Sequence, residues 1–196
     1  SASGDLNRFG ETFADFLDTW PSGRELPYLA DVARLEWLVE ESFHAAERES
    51  LRPIDLAAVP PDRQALLTFD LHPGCRLLVS AHPIHRIWLV NQPDAPGDAA
   101  VDLAEGGVFL LVRRRSHEVA IETLGHGEFC MLSLFAAGRN FDEALRYAVS
   151  VQPDFDVAAF LQRHVIGGTF TGFDWPLSCG DETAPGNSQR PLAAAA

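Results

Sequence analysis

Lysine is absent from the 196 residues, and all 15 basic side chains are arginine. That excludes a P-loop lysine, a Schiff-base lysine and any acid–base scheme run through an ammonium group. Positive charge is scarce as well: 28 acidic against 15 basic residues leave a net charge of −13. Such a chain supplies few of the phosphate contacts that dominate DNA affinity, so a broad DNA footprint is disfavoured. Cysteine occurs three times, at Cys75, Cys130 and Cys179. An odd, sparse count is no disulfide framework and fits a reducing, cytoplasmic setting. No apolar run reaches the length of a membrane span. The first residues lack the pattern of a signal peptide.

What is present reads as a folded chain, with 46% apolar and 22% charged residues. Phe9, Phe13, Phe16, Leu17 and Trp20 fall on one helical face, which predicts a helix over 5–20 with Asp5 as cap and Pro21-Ser22-Gly23 as stop. A longer helix is expected over 27–47. One stripe of it carries Tyr28, Val32, Leu35, Val39, Phe43 and Ala46; a second carries Leu29, Ala33, Trp37 and His44. Two apolar sides imply burial on two sides: either this is the central helix of the domain, or its second side faces a missing domain or a partner. Short helical turns are expected over 53–66, broken at Pro60-Pro61. Strands are expected over 66–71 and 76–81, around the turn signal His72-Pro73-Gly74. Residues 83–89 fit a helical turn or a strand.

Strands over 108–114 and 119–124 flank a polar Arg115–Glu118 turn, the mark of a hairpin. Helices are expected over 128–137, ended by Gly138, and over 141–152, with Asn140 and Glu143 as a capping box. The buried face of the second would carry Phe141, Ala144, Leu145, Ala148 and Val149. A last helix, capped by Asp154, would bury Val157, Phe160, Leu161 and His164, before a short strand over 169–173. The expectation is an α+β fold: a helical N-terminal part packed on a small, mainly antiparallel sheet, with C-terminal helices. By composition the chain divides into a helical segment (1–90), a loop (91–107), a hairpin with helices (108–175) and a disordered tail (176–196).

Chemistry is harder to find. His72-x2-Cys75 followed by His82-x2-His85 has the paired spacing of zinc ligands, but a proline sits inside each pair and only one thiolate is present. Turns that happen to carry histidines are the preferred reading, and no metal site is assigned. No Gly-x-Ser-x-Gly elbow occurs. Cys130 reads as core and Cys179 as a tail residue. Gly167–Gly172 resembles a phosphate loop only faintly, having no lysine and following a helix. Glu36, beside the first stripe of the long helix, reads as a carboxylate held by an arginine. Arg113-Arg114-Arg115 is the only basic cluster. Because alternate strand residues point to opposite faces, all three cannot meet one ligand. No catalytic residue and no cofactor is assigned.

A resemblance adds to this reading. The string Phe9-Gly10-x2-Phe13-x2-Phe16-Leu17, the stretch Pro27 to Trp37, and Leu71-His72-Pro73 leading to Ser80-Ala81-His82-Pro83-Ile84-His85-Arg86-Ile87-Trp88 resemble the HvfC/BufC-type family, long labelled as DNA-binding. The likeness runs through residue 88, thins to a pattern over the hairpin and the Gly138–Ala148 region, and is lost in the tail. It implies that the chain is the C-terminal portion, without the family's N-terminal helical domain. It also implies a partner of multinuclear non-haem iron oxidases, which modify cysteines in ribosomally made precursor peptides. In that role the chain would bind the enzyme and present the peptide leader. The alternative implied by the older label is a DNA-binding transcriptional regulator. Under the first reading, peptide contact would fall on Val108, Phe109, Leu110, Leu111, Val112, Arg113, Arg114 and Arg115, as an exposed strand edge. A partner or domain interface would fall on Leu29, Ala33, Glu36, Trp37 and Trp88.

Overall fold

Hydrophobic period sets most of the elements. The computed structural model describes residues 10–93, 95 and 100–176. In chain order these form α1 (Phe13–Thr19), α2 (Leu29–His44), α3 (Pro53–Ala57), β1 (Thr68–Leu71), β2 (Cys75–Ser80), α4 (Ile84–Val90), β3 (Val108–Arg115), β4 (Glu118–Leu124), α5 (His126–Ala136), α6 (Phe141–Val151), α7 (Val157–Ile166) and β5 (Phe170–Asp174). The fold class is α+β, with helices packed on small antiparallel sheets, as expected.

The chain forms two compact units, each assembled from two separate stretches: one from residues up to Ala46 with Gly74–Gly125, the other from Glu47–Pro73 with the residues from His126 on. The composition-based boundaries at 90 and 108 cut across the first unit. Backbone pairing is the reason: β2, from before the loop, pairs with β3, from after it. Of the expected tail, all but Pro176 lies outside the described residues, as do Asp5, Phe9 and Cys179.

The first unit is an antiparallel meander, β2-β3-β4, under helices. Register runs from Cys75↔Arg113 to Ser80↔Val108 and from Arg115↔Glu118 to Phe109↔Leu124. Leu35 of α2, Ile84 of α4 and Leu110 and Val112 of β3 form its fully buried centre. Tyr28, Val32, Val39, Leu78, Trp88, Val119 and Ile121 pack around them. The first predicted stripe of α2 thus faces the sheet. Its C-terminal members Phe43 and Ala46 are exposed.

The second stripe meets α1: the backbone at Gly10 comes so close to the Trp37 ring that a Cβ there would lie 3.0 Å from it. α1 corrects an expectation. It buries Ala14 and Leu17, while Phe13, Phe16 and Trp20 are exposed. Arg34 draws α1 and α2 together by bonding Asp18 and, at 2.8 Å, Asp31. Those bonds hold the Arg34 guanidinium above its ordinary pKa, Asp18 contributing most and burial opposing.

The second unit joins β1 to β5 antiparallel. The His72-Pro73-Gly74 turn is therefore no hairpin, since β1 and β2 belong to different sheets. Its core is aromatic. Phe69 lies 4.9 Å from Phe135 and 4.8 Å from Phe170, ring centre to ring centre, in tilted pairs. α6 starts as predicted, with Asn140 Oδ1 accepting from the Glu143 amide at 2.9 Å. It buries Ala144 and Ala148 but leaves Val149 exposed. The cap of α7 is Asp156, not Asp154; it accepts from the amides of Ala158 and Ala159 at 3.0 Å. Asp154 lies too far ahead of the first helical amides to reach them. Gly167-Gly168 ends α7, with Gly168 at φ +71°, and turns the chain into β5, so the faint phosphate-loop pattern is a helix stop.

Candidate functional site

The expected peptide edge is not an edge. β3 is the central strand of the meander, with β2 on one side and β4 on the other, so its backbone is already paired along its length. Val108 and Phe109 are half-buried, and Leu110, Leu111 and Val112 are fully buried. The outer strand facing away from β2 is β4. Among the described residues its only strand partner is β3.

The three arginines are engaged within the chain, though only Arg113 is buried. Arg113 is 2% exposed; its Nε donates to Glu122 at 2.7 Å and a second guanidinium nitrogen donates to the other carboxylate oxygen at 3.1 Å. Arg114 donates to the carbonyls of Phe43 and Ala45, both at 2.7 Å, satisfying the open end of α2. Arg115 is exposed and also bonds Glu122, at 2.9 Å. Glu122 thus pairs with two cations. The cluster offers little to a phosphate backbone. The hairpin register held the signal: pairing Arg115 with Glu118 sets Glu122 diagonal to Arg113.

The expected interface residues scatter. Trp88 packs on the aliphatic core. Trp37 faces Gly10. Leu29 and Ala33 are half-buried, and Glu36 is exposed instead of buried against an arginine. The helix arginine partner is elsewhere: Arg76 Nε of β2 donates to Glu41 at 3.1 Å. Beside Trp37 runs an open groove of about 370 Å³, lined by Glu11, Glu40, Glu41, His44, Ala45 and Arg76.

The zinc-like string does not converge. His72 is buried with Nε2 3.2 Å from the Arg48 carbonyl. Cys75 is buried, and burial pushes its thiol up to about 11 against the pull of Arg113 and Arg76. His82 meets Tyr28 edge-on. His85 is partly buried; burial, then Arg86, lowers its pKa. Among the described residues no three His, Cys, Asp or Glu side chains gather to hold a metal. Cys130 is half-buried rather than core, and burial raises its pKa.

One polar network escaped sequence reasoning. His164 is fully buried, with Nδ1 2.9 Å from Thr169 Oγ and Nε2 2.8 Å from Glu128. Arg163 donates to both Glu128 oxygens, at 2.9 and 3.0 Å. A hydroxyl–imidazole–carboxylate chain is the pattern of an activated nucleophile. Here Thr169 is fully buried, so no substrate reaches its oxygen and the network is structural. Phe160 and Phe170 flank the imidazole.

No helix among the described residues is long and apolar enough to cross a membrane. Compared with known proteins, the chain matches no family model, no curated protein and no solved structure.

Proposed function

We propose that this protein is a non-catalytic accessory subunit. It docks onto a multinuclear non-haem iron oxidase and presents the leader of a ribosomally made precursor peptide for cysteine modification. The observation that carries the reading is the outer strand β4, an antiparallel strand with no further strand beside it among the described residues. Such a strand takes up an extended segment through main-chain hydrogen bonds, with alternate side chains giving specificity. The peptide contact moves accordingly from Val108–Val112 to Glu118–Leu124. The resemblance to the HvfC/BufC-type family supplies the enzyme class and the pathway. A DNA-binding role draws no support from the arginine cluster, whose cations are engaged within the chain.

Size-exclusion chromatography of the chain mixed with the iron oxidase encoded beside its gene, with and without precursor peptide, tests the proposal. A shared peak that gains the peptide is expected. Separate peaks at micromolar concentrations, from the full-length protein as well, would overturn it.

A further inference from the structure

β4, whose only strand partner among the described residues is β3, has a chemically distinct ledge above it. α2 lies lengthwise over the meander. Asp31, near its start, accepts from Ser80 Oγ at 2.6 Å, and Glu41, near its end, accepts from Arg76 at 3.1 Å. One flank of α2, bearing Asp31 and Glu41, is therefore turned towards β2. At 3.6 residues per turn the opposite flank carries Glu36 and Phe43, and that flank is turned towards β4, while Glu40 lines the groove beside Trp37. Arg114 fixes the far end. It bonds the Phe43 and Ala45 carbonyls, and its register partner across the hairpin is Val119. Phe43 thus stands near the start of β4.

The chemistry of this ledge is specific. Phe43 is 49% exposed, and Glu36 is exposed. Val119 and Ile121 lie on the same sheet face as Arg114 and Val112, their register partners, and are half-buried. Glu36 makes no hydrogen bond or ion pair among the described residues. A strand added beside β4 would place every second side chain on this face. Each would meet an aliphatic floor, an aromatic ring and then the Glu36 carboxylate.

Resting on the reading that β4 takes up an extended segment, we infer that this segment carries Arg or Lys on its α2-facing side. The aliphatic stems lie on Val119 and Ile121, the cation meets the Phe43 ring, and the head reaches Glu36. An acidic side chain there would face like charge, and a short apolar one would leave Glu36 unpaired.

Two synthetic ten-residue peptides separate the possibilities, one with Arg at every second position and one with Glu there. Each is titrated against the whole chain, with affinity read by anisotropy and amide exchange read over β4. The Arg peptide is expected to bind and to slow exchange over Glu118–Leu124. The variant Glu36→Gln should weaken it about two- to fivefold, the range for an exposed ion pair. Glu143→Gln on α6 should leave affinity unchanged, which separates the ledge from general attraction to an acidic protein. Equal binding of both peptides with β4 protected, or equal loss in both variants, overturns the charge assignment and leaves the edge reading standing. No binding by either peptide, or binding that leaves β4 amides unprotected, overturns both.

Discussion

The two units solve the same problem, a small sheet that must be covered, with different chemistry. The first covers three strands with aliphatic side chains, and Leu35, Ile84, Leu110 and Val112 are fully buried. The second covers two strands with phenylalanines: Phe69, Phe135, Phe160 and Phe170 are all nearly or fully buried. Each also buries a charged or polar group. In the first it is the Arg113–Glu122 pair on a sheet; in the second it is His164 between Glu128 and Thr169 on helices and a loop. A wide meander leaves an outer strand beside a helix flank, whereas a two-stranded sheet under a dense aromatic cluster is a closed core. On the proposed function, recognition would fall to the first unit.

Substitutions sharpen that comparison. Phe135→Ala should cost the second unit about 4 kcal/mol, because a large ring leaves a cavity among other rings. Denaturant unfolding with residue-resolved exchange should show protection lost most over 126–174. A larger loss over β2–β4 would contradict the separate aromatic core. In the first unit, Glu122→Gln leaves Arg113 buried without its counter-charge and should cost about 3 kcal/mol. A cost below about 0.5 kcal/mol, the surface-pair range, would mean that the pair is hydrated.

The buried thiol predicts a pH effect. Cys75 in the fold titrates at about 11 against an ordinary 9.0, so the unfolded chain loses its proton first. Its stabilising contribution is whole below pH 9, falls as pH rises, and is lost by about pH 11, by roughly 2–3 kcal/mol. Thermal melts of the wild type and Cys75→Ala across that window should converge in the sense that only the wild type loses this increment. Parallel loss in both would refute the assignment. In the second unit, Thr169→Val removes the partner of His164 Nδ1 and should cost about 1–3 kcal/mol. Asp156→Ala should cost about 1 kcal/mol while Asp154→Ala costs little, a direct check on which aspartate caps α7.

Much of this architecture is legible in the sequence wherever pattern is local. The β3–β4 hairpin follows from two β-rich runs around a polar turn, and α6 from Asn140 and Glu143. Gly138, at φ +72°, ends α5 as its position after an apolar run implied. What fails is what depends on distant partners. Nothing local tells that β2 pairs with β3 rather than β1, which turns the expected edge into the centre of the sheet. Nor does helical period tell that α1 buries Ala14 and Leu17 in place of Phe13 and Phe16, because two small or aliphatic residues fit closer to α2 than rings do. Arg113 reads as a surface cation until its strand is placed inside a sheet. Glu36 reads as half-buried until the structure shows it on an exposed flank of α2.

Amide exchange over Glu118–Leu124, measured in the chain alone and with its precursor peptide, tests the central claim most directly. The account predicts that these amides, which face no further strand among the described residues, slow on peptide addition more than those of β2 or β5. Protection confined to another element, with β4 unchanged while the peptide is bound, would contradict it.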